Sequence, residues 1–218
     1  MKEQAGRILH FAEENAPVRG CTISKQLYWQ EGDGISVFSL AAGTNISAES
    51  YAYHKLWTVY AGKMEFSASD GEKRVLAAGE SILTPLHVSV GVYAAEDTVY
   101  QEIEFRKESI MNEILQAGEV FKLADLIPCQ EGKIVNMDLV HNDKMKFVIM
   151  SFDEGTGLSE HAAPGEALLF ALEGEAVIGY EGEKHTLKAG ESFKFDKFGK
   201  HSVTATKKFK MALLLVLE

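Results

Sequence analysis

The chain has 218 residues, 46% of them hydrophobic and 25% charged, a balance that suits one large or two small packed domains and excludes a disordered chain. With 32 acidic against 22 basic residues the net charge is −10, so the overall field disfavours phosphate-rich partners and no nucleic acid is expected as a ligand. No run is long and apolar enough to span a membrane.

The first residues, MKEQAGRILHFAEENAP, carry no apolar stretch of the secretory kind. The two cysteines, Cys21 and Cys129, lie far apart with no CxxC or Cys/His cluster around them. A cytoplasmic protein with reduced thiols is the expectation. The one basic cluster, Lys207, Lys208 and Lys210, reads as a solvated hairpin rim.

Short strands bounded by turn residues follow in chain order. ISVFSLAAGT, LWTVYAGKMEFSAS, KRVLAAGESILTP and VYQEIEF occupy the first half; KFVIMSFDEGT, ALLFALEGEAVIGY, HTLKAGESFKFD and KMALLLVLE occupy the second. Between them, KESIMNEILQ places Ile110, Met111, Ile114 and Leu115 at helical spacing, which predicts a short amphipathic helix as a linker over 108–116. Many short strands with glycines at the corners predict an all-β fold of barrel or sandwich type.

The two strand sets are one unit written twice. Gly6 pairs with Gly118, Gly20 with Gly132, Gly43 with Gly155 and Gly62 with Gly174, all at an offset of 112. The offset falls to 111 between AGKMEFSASDGEKRVLAAGES and EGEAVIGYEGEKHTLKAGES, which puts the loss of one residue near the Asp70-Gly71 or Glu181-Gly182 turn, where a hairpin tolerates it. Two tandem domains over 1–107 and 117–218 are expected, each large enough for one small barrel.

Gly155, His161, Gly174, Gly190 and His201 fall at the motif positions G-x5-H-x-H-x3-E-x6-G and G-x5-P-x-G-x2-H-x3-N. In this the second half resembles the cupins, a superfamily of small jelly-roll barrels. Gly43, Gly62, Gly79 and Pro85 repeat the same ruler in the first half, so the chain as a whole resembles a bicupin.

In that family two histidines and a glutamate of the first motif, with the histidine of the second, hold a divalent metal inside the barrel. Here His161 and His201 stand at two of those positions, while Ala163 and Ala167 replace the other histidine and the glutamate. A catalytic metal commonly takes three protein ligands. Glu166, one residue before the motif glutamate, and Asp196, at the motif proline, are the candidates to complete a set for zinc, nickel, manganese or iron. Strand alternation turns Glu166 outward unless a bulge at Pro164-Gly165 intervenes.

The other reading of His161 and His201 is a pair of neutral imidazoles facing a small organic ligand, in room left by the alanines and against apolar walls such as Phe170 and Phe195. In the first half the four ligand positions hold Glu49, Tyr51, Lys55 and Val90. A lysine there repels a cation, so no metal is expected in the N-terminal barrel. Glu49 and Lys55 would form an internal ion pair if both point inward. His54 alternates out of phase with these residues and His87 takes a motif glycine position, which makes both structural or exposed rather than ligands.

Three functions remain open at this level. One is a small-molecule-binding bicupin without catalysis, in which the C-terminal barrel binds. Another is a metal-dependent enzyme of isomerase or dioxygenase type using His161 and His201, and the third is a structural assembly partner. Pairing of barrels through β-edges makes a homodimer an expected state. No phosphate loop, GxSxG elbow or Rossmann fingerprint is present in the sequence.

Overall fold

A computed structural model describes residues 1–69, 71 and 73–217; Asp70 of the expected deletion turn lies outside them. The first repeat runs β1 (Ile8–Leu9), α1 (Phe11–Glu14), β2 (Thr22–Gln30), β3 (Asp33–Leu40), β4 (Asn45–Ser50) and β5 (Lys55–Ala61). It continues with β6 (Lys63–Ala68), β7 (Lys73–Ala77), β8 (Ser81–Leu83), β9 (Ser89–Ala94) and β10 (Thr98–Glu104). After β11 (Ile110–Met111), the second repeat runs β12 (Val120–Phe121), a 3-10 turn (Leu123–Leu126), β13 (Ile134–His141), β14 (Met145–Phe152) and β15 (Gly157–Ala162). Its remaining strands are β16 (Glu166–Glu173), β17 (Glu175–Tyr180), β18 (Glu183–Lys188), β19 (Ser192–Phe195), β20 (Lys200–Ala205) and β21 (Phe209–Val216).

The duplication is written in the sheets. Each repeat builds a four-stranded sheet, β4-β9-β6-β7 in one and β15-β20-β17-β18 in the other. Each also builds a larger sheet with the common order β8-β5-β10-β3-β2 or β19-β16-β21-β14-β13. In each unit side chains from both sheets enclose a core, the geometry of a jelly-roll barrel. The offset changes between β6/β17 and β7/β18, across the Glu181-Gly182 turn.

The expected boundaries are corrected in two ways. The linker over 108–116 forms no helix: Ile110 and Met111 pair with His141 and Val140 as a short strand. Its apolar side chains satisfy helical spacing by coincidence, and the backbone finds its partners in a sheet edge instead. The leading strand of each repeat is also exchanged. β1 pairs with β19, and the corresponding β12 pairs with β8, so residues 1–10 join the second compact unit, and residues 115–122 the first.

Two glycines show how tightly the corners close. Gly62 and Gly174 both hold φ near +77°, and a Cβ would lie 2.1 Å from the Asp97 carbonyl oxygen or 1.8 Å from that of Lys208. No side chain fits there, which is why the repeat keeps glycine at both sites.

The C-terminal barrel is filled by Leu169, Ile178, Leu187, Phe193, Phe195, Phe209 and Met211 among others. Trp57, Met64, Phe66, Leu76, Val92 and Tyr100 belong to the corresponding cluster of the N-terminal barrel. Each set comes from alternate positions along its strands, as inward-facing residues must.

Candidate functional site

In the C-terminal barrel the registers of β15 and β20 bring His161 directly opposite His201. Their rings lie 4.3 Å apart between centroids, tilted by 55°. His201 is buried, with 6% of its surface exposed, while His161 is exposed. A register shift between Leu158 and His161 turns the end of β15 to this arrangement, and the same shift occurs between Ile46 and Glu49 in β4.

Backbone carbonyls fix the tautomers. His161 Nδ1 lies 2.8 Å from the Ser159 carbonyl oxygen and His201 Nδ1 lies 2.9 Å from that of Gly199. A carbonyl only accepts, so each Nδ1 carries the proton and each Nε2 keeps its lone pair while the ring is neutral. Burial, aided by the neighbouring His161 and opposed by the Gly199 carbonyl, lowers the pKa of His201 below its ordinary value. While both rings are neutral the site therefore offers two acceptor nitrogens.

Phe195 stacks on His201 with ring centroids 4.3 Å apart and planes 26° apart. Phe170 is placed elsewhere. Ala167, Leu169 and Ala171 of β16 belong to the inner cluster, and alternation turns Phe170 to the opposite face of the sheet, so the expectation that it lines this site is corrected.

Glu166 is likewise corrected as a metal ligand. It lies on the outward side of β16, where Lys194 Nζ approaches its carboxylate at 2.6 Å and the amino group of Met1 makes a second, very short contact. Burial alone would raise its pKa, but hydrogen bonds and the charges of these two cations outweigh burial and lower it. Asp196 is largely exposed and also pairs with Lys194, at 3.0 Å. Among the described residues no group of three or more His, Cys, Asp or Glu has the geometry to hold a metal ion. Two imidazoles with alanine at the remaining positions do not fit the three-ligand requirement of a catalytic divalent site.

The N-terminal barrel holds a different arrangement at the matching depth. Lys55 Nζ donates to Glu102 Oε1 at 3.0 Å, Trp57 Nε1 donates to Glu102 Oε2 at 2.7 Å, and Glu104 lies 3.7 Å from the ammonium. The ammonium sits 4.2 Å from the centre of the Tyr51 ring. Burial works against protonated Lys55, but the charges of Glu102 and Glu104 and the hydrogen bond to Glu102 prevail and raise its pKa. Burial raises that of Glu102 while Lys55 opposes it.

The expected Glu49–Lys55 pair does not form. Glu49 instead accepts from the Tyr51 hydroxyl at 3.2 Å, because β10 brings Glu102 and Glu104 across from Trp57 and Lys55. Glu102 and Glu104 are the residues that sequence reasoning missed. Comparison of the repeats carries the signal: their counterparts at an offset of 111 are Leu213 and Leu215, so two charges replace two leucines on an inward face. His54 points its Nδ1 at the Thr84 carbonyl oxygen at 2.7 Å, and His87 is exposed.

Two tandem jelly-roll barrels with motif residues at the same depth in each define the bicupin class. The Cupin domain family model matches residues 148–217. Over 99% of its length the chain is similar to 98% of a cupin 2 conserved barrel domain protein from Leptotrichia buccalis, at 28% identity and a TM-score of 0.85. Residues 148–217 thus carry a cupin domain, and the chain as a whole shares its two-barrel fold with a cupin protein.

Two further structures share the fold at low identity. Protein Ylba from E. coli matches at 14% identity and a TM-score of 0.59, over 96% of this chain and 89% of that one. The salicylate 1,2-dioxygenase of Pseudoaminobacter salicylatoxidans, solved as adducts with gentisate, matches at 11% identity and a TM-score of 0.64, over 97% of this chain and 81% of that one. No curated protein matches the chain. No helix among the described residues is long and apolar enough to cross a membrane.

Proposed function

We propose that this protein is a small-molecule-binding bicupin whose C-terminal barrel holds an organic ligand against the paired His161 and His201. The observation that carries the reading is the pair of imidazoles with both Nδ1 protons committed to backbone carbonyls. Two acceptor nitrogens select a ligand with hydroxyl or N–H donors, and Phe195 gives it a flat apolar wall beside His201. Ala163 and Ala167 supply no donor atoms at the two remaining family ligand positions.

The competing reading is a metal-dependent enzyme of isomerase or dioxygenase type. It rests on His161 and His201 standing at two family ligand positions, and it lacks a third donor because Glu166 is committed to Lys194. Elemental analysis of untagged protein beside the His161→Ala/His201→Ala double variant separates the two, together with a thermal-shift screen of polar metabolites. The expected result is a stabilising metabolite whose effect the double variant loses. Close to one equivalent of zinc, nickel, manganese or iron, lost in the variant, overturns the proposal in favour of the enzyme.

A further inference from the structure

A cavity of about 170 Å³ opens inside the N-terminal barrel, lined by Phe38, Tyr51, Lys55, Trp57, Tyr100 and Glu102, with Glu49 beside Tyr51. From this cavity we infer a second binding site, distinct from the His161–His201 pair, for a neutral single-ring molecule that presents a carbonyl oxygen. Size sets the first limit, since an engineered cavity of roughly 150 Å³ is known to accommodate benzene.

Hydrogen-bond accounting sets the second. Both oxygens of Glu102 are engaged, one by Lys55 and one by Trp57, and Glu49 accepts from Tyr51. The Lys55 ammonium has three N–H groups and gives one to Glu102. Tyr100 is 1% exposed, and its hydroxyl makes no hydrogen bond among the described residues; burial, followed by the charges of Glu102, Tyr51 and Glu49, raises its pKa, so the O–H stays protonated. The Tyr100 O–H, and the Lys55 N–H groups beyond the one given to Glu102 and any directed at Glu104, 3.7 Å away, are the donors that a ligand oxygen would satisfy.

Charge sets the third. Glu49 and Glu102 repel an anion, while the Lys55 ammonium repels a cation placed beside it. A neutral molecule escapes both penalties. Its ring finds a flat surface on the Phe38–Tyr100 stack, whose centroids lie 4.9 Å apart at 5°, with Trp57 5.9 Å from Tyr100.

The second barrel supplies the contrast that makes this network informative. At the positions of Lys55, Tyr100 and Glu102 it has Ala167, Met211 and Leu213, so an apolar interior serves the same fold. A buried ion pair is seldom more stabilising than such a replacement. Its presence in one barrel alone, against a cavity, points to a ligand rather than to stability.

The test uses the Trp29→Phe protein, in which Trp57 is the one tryptophan left, and follows its fluorescence during titration with benzamide, benzoate and benzylammonium. Benzamide is expected to saturate, with benzoate and benzylammonium at least tenfold weaker. Tyr100→Phe, which removes the O–H and keeps the ring, is expected to weaken benzamide by about 3- to 10-fold. The Lys55→Met/Glu102→Leu double variant, whose interior is apolar at both positions as the second barrel's is, is expected to lose benzamide binding while remaining folded by circular dichroism. His161→Ala/His201→Ala is expected to bind benzamide as before, which separates this site from the one proposed for the C-terminal barrel. Tighter binding of either charged probe, no saturation by any of the three, or an unchanged benzamide affinity in Tyr100→Phe overturns the inference.

Discussion

Lys55 and Glu102 meet at 3.0 Å inside the N-terminal barrel, with side chains 9% and 5% exposed. Removing one member strands the other as a buried charge, which generally costs about 3–5 kcal/mol, whereas removing both is often close to neutral. Urea denaturation of Lys55→Met is expected to show a loss in that range. The Lys55→Met/Glu102→Leu pair is expected to recover most of it, and a double variant as damaged as the single one would show that the pair itself stabilises the barrel.

His201 gives stability a dependence on pH. Its pKa in the folded chain lies below the ordinary 6.5, so the unfolded chain takes up the proton first. Stability is therefore full above about 6.5, declines as the pH falls through that value toward the folded pKa, and levels off beneath it. In thermal melts between pH 7.5 and 5, His201→Gln is expected to lose this contribution to the acid-side decline. A variant whose decline matches the parent's would place its origin elsewhere.

Restoring the family ligands should restore a metal site. The Cβ of Ala167 belongs to the inner cluster of the C-terminal barrel, with Phe195 opposite in the register, so glutamate at 167 projects inward, unlike Glu166. The Ala163→His/Ala167→Glu variant is expected to bind one equivalent of zinc or manganese, by titration calorimetry, at least a hundredfold more tightly than the parent. Equal affinity in the two proteins would mean that the barrel no longer presents the ligand geometry.

Phe198 and His87 occupy the glycine position of the second motif, with φ of 63° and 58°. A left-handed backbone costs a non-glycine residue roughly 1–2 kcal/mol. Phe198→Gly and His87→Gly are therefore each expected to raise stability by about 1 kcal/mol in chemical denaturation, after allowance for the added freedom of the unfolded chain. The hydrogen bonds from these residues' N–H groups to the carbonyls of Ala163 and Tyr51 are backbone contacts and survive the change.

Much of the fold was legible because it is periodic. The glycine spacing disclosed the duplication, and the motif resemblance assigned His161 and His201 to one site, which the register of β15 and β20 pairs directly. The linker at 108–116 was misread because four apolar residues at helical spacing carry no information about a neighbouring sheet edge. Phe170 was misassigned because the run Ala167–Leu172 is apolar throughout, and a strand buried on both faces leaves no polar alternation from which to tell them apart.

By itself the sequence determined the duplication, many of the strands in each repeat, the corner glycines Gly62 and Gly174, and the loss of two family ligands at Ala163 and Ala167, all local properties of spacing and residue type. The tertiary structure alone decided where charges found their partners. Glu166 turned to Lys194, Lys55 passed over Glu49 for Glu102, and the leading strands β1 and β12 exchanged barrels. These choices depend on pairings between strands distant in the chain, where burial makes the nearest opposite charge and the open sheet edge decisive, and spacing along one strand cannot reveal which strand lies opposite.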